Sequence, residues 1–184
     1  MEYDVDLSQL TCGCVAALYL VSMPGKKTDG SYDPSGDEKY YCDANKVGGV
    51  YCPEFDIMEA NTYSLRSTPH SCSPPDSNGH YTECDRGGTL PVDVQDSHTS
   101  DYGPGDNYQI DSTKPFHVAL DFMTDGNGNF QKYTTTLSQD SNMIVLDSEG
   151  DYLHKMTQDL SDGMVFAMSS WGSDGISWLQ HDRC

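Results

Sequence analysis

Apolar residues recur along this chain in short runs, and the runs differ in rhythm. YDVDL (3–7) alternates apolar with polar, whereas VAALYLVSM (15–23) is apolar almost throughout. YCPEFDIMEA (51–60), NYQID (107–111), FHVALDFMT (116–124), FQKYTTTL (130–137), MIVL (143–146), MVFAMSSW (164–171) and ISWLQ (176–180) follow. Tyr, Val, Thr, Phe and Trp fill them and turn residues bound them, which is the pattern of β-strands. Segment 24–49 reads as loop-rich, 71–105 has little periodicity and reads as mostly loop, and 152–162 is the one stretch expected to form a short helix. No internal repeat or low-complexity linker divides the chain. The pattern predicts an all-β sandwich in a single domain over residues 1–184.

Asp125, Asn127 and Asn129 in TDGNGNF (124–130) copy the start of a calcium-binding loop. That loop needs Gly at its sixth position and Glu at its twelfth, where this chain has Phe130 and Thr136. Asp-Gly and Asn-Gly are hairpin-turn residues, so a hairpin is expected there, with no metal.

Charge narrows the partners. Ten Lys+Arg stand against 29 Asp+Glu, a net charge of −19. Such a chain repels nucleic acid and anionic membranes, and a neutral ligand fits better. No apolar run reaches the roughly 18 residues of a membrane span. Seven cysteines in loop-like surroundings favour disulfides and an oxidising compartment over a zinc site, since no CxxC pair occurs. The first residues lack the basic start and apolar core of a signal peptide. A secreted chain is expected all the same, with its N-terminal part missing.

The chemistry concentrates in PEFDIMEAN (53–61), which places Glu54, Asp56 and Glu59 within six positions. Side chains alternate along a strand, so Glu54 and Asp56 share a face with Met58, while Phe55 and Ile57 point the other way. Glu59 is out of phase: it faces away, or a β-bulge between 56 and 59 returns it to the face of Glu54. With a bulge, the two Glu side chains could close to the ~5–5.5 Å of a retaining glycosidase pair. Spacing alone leaves open that these are solvent-facing acids of an amphipathic strand. RSTPH (66–70) reads as a loop able to fold back and bring His70 near Glu59, or as a turn carrying a turn histidine. Trp171 and Trp178 are either core residues or platforms for sugar rings.

Taken together, these motifs resemble glycoside hydrolase family 7, the secreted cellulases. PEFDIMEAN is similar to the family's ExDxxE segment, followed by TPHSC. DVDLSQLTCG with ALYLVSM, DYGPGDNYQIDSTKPFHV, and DGMVFAMSSW with SWLQ match other family segments in the same order. The resemblance covers nearly the whole chain and implies a concanavalin-like jelly roll of two antiparallel sheets, with substrate across the concave face. It implies Glu54 as nucleophile, Asp56 as its partner and Glu59 as general acid, then base. His70 would sit by Glu59, on the leaving-group side. Tyr19, Asp43, Trp171 and Trp178 would line the substrate path, and Arg86 and Arg183 would bind on the product side. The resemblance further implies the disulfides Cys42–Cys52, Cys72–Cys84 and Cys12–Cys184, with Cys14 outside these pairs.

Departures from the family accompany the match. Family members run to roughly twice this length or more. Met58 replaces the usual Trp, Gln95 stands where an arginine is common, and Val15 and Asn45 replace an Asn and a Gln that contact sugar, with Asn45 kept as a substrate-binding candidate. Short loops point to an open cleft and endo action rather than a tunnel. The resemblance thus implies a retaining endo-β-1,4-glucanase acting on cellulose or a related β-glucan, secreted, monomeric and free of cofactors; the net charge and the need to keep Glu59 protonated suggest an acidic pH optimum. The alternatives are an exo-acting cellobiohydrolase and a catalytically silent glucan-binding sandwich.

Overall fold

The computed structural model describes residues 1–10, 13–23, 41–77, 80–94, 100–172 and 178–179. Two antiparallel sheets carry the fold. One is built from β1 (Glu2–Val5), β8 (Phe116–Thr124), β9 (Phe130–Gln139) and β10 (Asn142–Glu149), in that spatial order. The other contains β11 (Val165–Gly172), β2 (Cys14–Val21), β3 (Glu54–Ala60), β4 (Leu65–His70) and β5 (Val92–Asp93), in that order. A small parallel pair, β6 (Tyr102–Gly103) with β7 (Ile110–Asp111), forms a separate two-stranded sheet, with Asp111 hydrogen-bonded to Gln139 of β9. A 3₁₀ turn (Asp151–Met156) runs into the short helix α1 (Thr157–Asp162), within the stretch the sequence marks for a helix.

The core forms between the sheets. Leu18 and Leu20 of β2, with Phe55 and Ile57 of β3, join Val118, Leu120, Tyr133 and Leu137 of the opposite sheet in one buried cluster. Phe55 packs edge-on against Phe122 and Tyr133, with centroids 5.0 and 5.1 Å away. Such aromatic pairs add about 0.5–1.5 kcal/mol each beyond the area they bury.

Strand β2 explains its own unbroken apolar run. Leu18 and Leu20 face the inter-sheet core, while Ala17, Tyr19 and Val21 pack in a second cluster with Cys42 and Cys52. Both faces of the strand are covered, so alternation disappears from its sequence.

Strand β3 departs from regular pairing. On β2, Tyr19 pairs with Asp56 and the adjacent Leu18 with Met58; on β4, Thr68 pairs with Asp56 and Arg66 with Glu59. β3 therefore carries one extra residue relative to both neighbours, a β-bulge at Ile57–Met58. The bulge frees the Ile57 carbonyl from the ladder, and the buried Ser67 hydroxyl donates to it at 2.6 Å. Met58 consequently joins the core cluster with Phe55 and Ile57. The sequence-based placement of Met58 beside Glu54 and Asp56 is thereby corrected, because the alternation on which it rests breaks at the bulge.

RSTPH (66–70) lies within β4 rather than in a loop. The β3–β4 turn closes where the Asn61 side chain accepts the N–H groups of Tyr63 and Ser64. The hairpin between β8 and β9 forms as its turn residues suggest, with Asp125 accepting the backbone N–H groups of Asn127 and Asn129. Disulfides join Cys42 to Cys52 and Cys72 to Cys84. Cys12, Cys184, Arg183, Gln95 and most of the 176–180 run lie outside the described residues.

Candidate active site

The five-stranded sheet presents an open cavity of about 740 Å³ on the face turned away from the core. Glu54, Asp56 and Glu59 all line it, because the bulge restores Glu59 to the side of the other two. Each acid has a cross-strand partner on β4: Glu54 faces His70, Asp56 faces Thr68, and Glu59 faces Arg66. On β2, Tyr19 pairs with Asp56 and Ala17 with Glu59. All these partners line the cavity as well.

Burial and mutual repulsion govern the acids. The pKa of Glu54 is raised by desolvation first and the Asp56 charge second, while the Ala44 N–H, donating to Oε2 at 3.0 Å, and His70 pull it back down. Asp56, fully enclosed, is raised by burial and by the Asp43 charge; a hydrogen bond with Glu54 and the charge of Arg66 oppose the shift. Glu59 is raised by burial and by Asp56, against the lowering influence of His70 and Arg66. Three carboxylates so placed cannot all ionise at neutral pH, so the site retains protons. The backbone N–H on Glu54 favours its ionised form, which suits it to attack while a neighbour holds a proton.

His70 Nε2 lies 2.9 Å from Asp56 Oδ2, and Nδ1 lies 2.8 Å from the Asp85 carbonyl. A carbonyl only accepts, so Nδ1 carries a proton. Nε2 then either accepts from protonated Asp56 or donates to its carboxylate. The histidine that the resemblance implies beside Glu59 is thus hydrogen-bonded to Asp56, and it stays close enough to Glu59 to lower its pKa.

The loop 85–90 is held against β4 at Gly88. A side chain there would strike the Thr68 methyl group and approach His70 Cε1 to 3.0 Å, and the residue has φ +72°. Asp85 anchors this loop: it accepts from Thr89 Oγ1 at 2.6 Å and from the Tyr152 hydroxyl at 2.8 Å. Burial opposes ionisation of Asp85, but Thr89, Tyr152, His70 and Gly88 together hold its pKa below the usual value.

Tyr19, Asp43, Asn45, Arg86, Trp171 and Trp178 also line the cavity. Arg86 Nε donates to Asn45 Oδ1 at 3.4 Å, and the two indoles stack with centroids 6.2 Å apart. Both indoles are 40% exposed, which leaves part of each ring, beyond the face turned to its neighbour, accessible from the cavity. Val15 instead packs in the interior with Leu179. Tyr41, hydrogen-bonded to the Tyr19 hydroxyl at 2.9 Å, along with Arg66 and Thr68, lines the cavity without having been singled out from sequence. Arg66 and Thr68 become visible only once 66–70 is paired as a strand. Among the described residues no group of three or more His, Cys, Asp or Glu is arranged to hold a metal ion.

Carboxyl groups gathered on one face of an open cavity are the arrangement that glycoside cleavage uses. Residues 38–151 match the sequence pattern of glycosyl hydrolase family 7, and the chain belongs to that family. It is 32% identical to endoglucanase type C of Fusarium oxysporum over 97% of this chain and 54% of that protein. A solved endoglucanase I complexed with cellobiose superposes with a TM-score of 0.80 and 28% identity, covering 96% of this chain and 57% of that one. A family 7 cellobiohydrolase from Daphnia pulex superposes with a TM-score of 0.76 and 26% identity, over 96% and 57% of the two chains. The chain spans about half the length of the curated relatives it matches.

Proposed function

We propose that this chain is a retaining endo-β-1,4-glucanase acting on cellulose or a related neutral β-glucan, and that it works outside the cell. One observation carries the reading: the bulge in β3 sets Glu54, Asp56 and Glu59 on a single cavity face. Similarity to named endoglucanases supports the substrate class, and the two disulfides support an extracellular setting.

In the first step the Glu54 carboxylate attacks the anomeric carbon while Glu59 gives its proton to the departing glycosidic oxygen. A glycosyl ester on Glu54 results, and Glu59 is left ionised. In the second step Glu59 takes a proton from water, and the water oxygen displaces the ester. Two inversions give net retention, and Glu59 regains its proton. Asp56, tied to His70, hydrogen-bonds Glu54 and orients it for attack. The exposed indoles of Trp171 and Trp178 offer apolar faces to sugar rings.

The test is turnover of a soluble β-1,4-glucan by the protein and by its Glu54→Gln variant, following viscosity, reducing ends and the released anomer. Rapid viscosity loss with β-configured product, absent in the variant, is expected. Slow viscosity loss with steady release of disaccharide would instead favour the exo-acting reading, which the Daphnia pulex cellobiohydrolase keeps in play. Binding without turnover would leave a glucan-binding sandwich.

A further inference from the structure

Among the described residues that line the cavity, Arg66 and Arg86 are the two permanent cations. Arg86 is exposed and engaged with Asn45. Arg66 is different. It sits mid-sheet on β4, directly across from Glu59, and directly paired residues project from the same face. Its Nε is buried with no hydrogen-bond partner, a donor that the packing of the sheet leaves unused. An orphaned buried donor of this kind is costly, so a fold retains it where the charge serves another group.

We propose that Arg66 is a positioning residue for Glu59: its guanidinium, held across the ladder, balances the negative charge Glu59 carries once it has given up its proton. The inference rests on the acid/base reading of Glu59. Before the first step Glu59 is neutral, and after it Glu59 is a carboxylate close to Asp56. The groups around it are Glu54 and Asp56 on its own strand, Tyr19 on β2, His70 on β4, and Asp43 and Arg86 from the loops. Arg66 is the permanent positive charge directly opposite it on the neighbouring strand, and on its other side Arg66 is paired with Asp93 of β5, so its charge lies between two acids. Its influence on Glu59 is in the acid-strengthening direction, as is that on Asp56. Arg66 thereby opposes the repulsion that would otherwise keep Glu59 protonated too firmly to donate.

The experiment compares the wild-type chain with Arg66→Met, Arg66→Gln and Arg66→Lys. Each is checked for a cooperative melt, and Arg66→Gln serves if Arg66→Met does not fold. Two readouts are taken: kcat/KM against pH on a soluble β-1,4-glucan oligosaccharide, and the titration of the Glu59 carboxyl by NMR of protein carrying labelled glutamate. Losing the charge is expected to move both the basic limb of the profile and the Glu59 titration to higher pH by about one unit. Arg66→Lys is expected to return both toward wild type. An unmoved Glu59 titration in the neutral variants overturns the proposal, as does a KM increase with both pH readouts unchanged, which would make Arg66 a sugar-binding residue. Because the titration needs no turnover, it decides the pairing even if the wild-type chain proves inactive; inactivity alone would count against the proposed function.

Discussion

His70 Nε2 lies 2.9 Å from Asp56 Oδ2, while the other ring nitrogen is held 2.8 Å from the Asp85 carbonyl. A single imidazole therefore ties the middle acid of the site to the loop beside β4. Replacing it by Asn keeps a polar group but cannot span both partners. His70→Asn should lower kcat with little change in KM, since substrate contacts stay in place. Loss of one hydrogen bond to a charged group, about 1.5–3 kcal/mol, corresponds to a fall of roughly ten- to a hundredfold. Steady-state kinetics on a soluble glucan would measure it; a KM effect alone would contradict the role given to Asp56.

Stability should depend on pH in a direction set by the acids. Glu54, Asp56 and Glu59 all have folded pKa values above the ordinary carboxylate range, with burial the first cause. Below that range both folded and unfolded chains are protonated, and these groups neither stabilise nor destabilise. As pH rises through it, the unfolded chain releases protons that the folded site keeps, so stability falls until the folded groups ionise too. Thermal melts should show a protein more stable in acid than at mildly alkaline pH. Glu54→Gln should flatten the slope while raising the alkaline melting temperature. By the same shifts, both limbs of the activity profile should lie above the range of free carboxylates, placing the optimum nearer neutrality than the acidity of the chain suggests.

Gly88→Ala should destabilise the fold by about 1–3 kcal/mol, because the site combines positive φ with a backbone pressed onto Thr68. Relief of that contact would move the loop 85–90 away from β4 and take the Asp85 carbonyl from His70. Activity should therefore fall more steeply than the melting temperature alone would account for. Denaturant titration paired with kinetics would separate the two effects.

The Cys42–Cys52 bridge closes the loop that brings Asp43, Asn45 and the Ala44 N–H to the cavity. Replacing both cysteines by serine should cost about 2–4 kcal/mol of stability. It should also raise the Glu54 pKa further, because a looser loop presents its N–H less steadily. An upward shift of the acidic limb in the kcat/KM profile would report that loss.

Much of the architecture can be read from the chain, for physical reasons that vary by element. The runs at 116–124 and 130–137 alternate because each strand has one buried face, and β8 and β9 form there. The 15–23 run is recognisable as a strand but conceals that both its faces are covered. β5 and β6 are two residues long, too short for any period to show. The 66–70 segment misleads because Pro69 reads as a loop signal, yet it pairs with Phe55 inside β4. That misreading hides Arg66, whose neighbour across the ladder cannot be inferred until the strand and the bulge are both known. The acids are visible as a cluster, but their common face depends on one backbone irregularity that no composition reveals.

That irregularity makes the site a matter of parity. Between Asp56 and Glu59 the chain must turn an odd interval into an even one, and a single surplus residue does so while Phe55, Ile57 and Ala60 keep their places in the core. Removing the surplus residue would leave the three acids in regular alternation on the cavity face, so what the bulge adds is a further apolar side chain in the core and an Ile57 carbonyl that accepts from Ser67. Deleting Met58 would therefore keep both glutamates facing the cavity and cost packing in the core, so the spacing of the acids is set by the neighbouring strands and the surplus residue serves the interior.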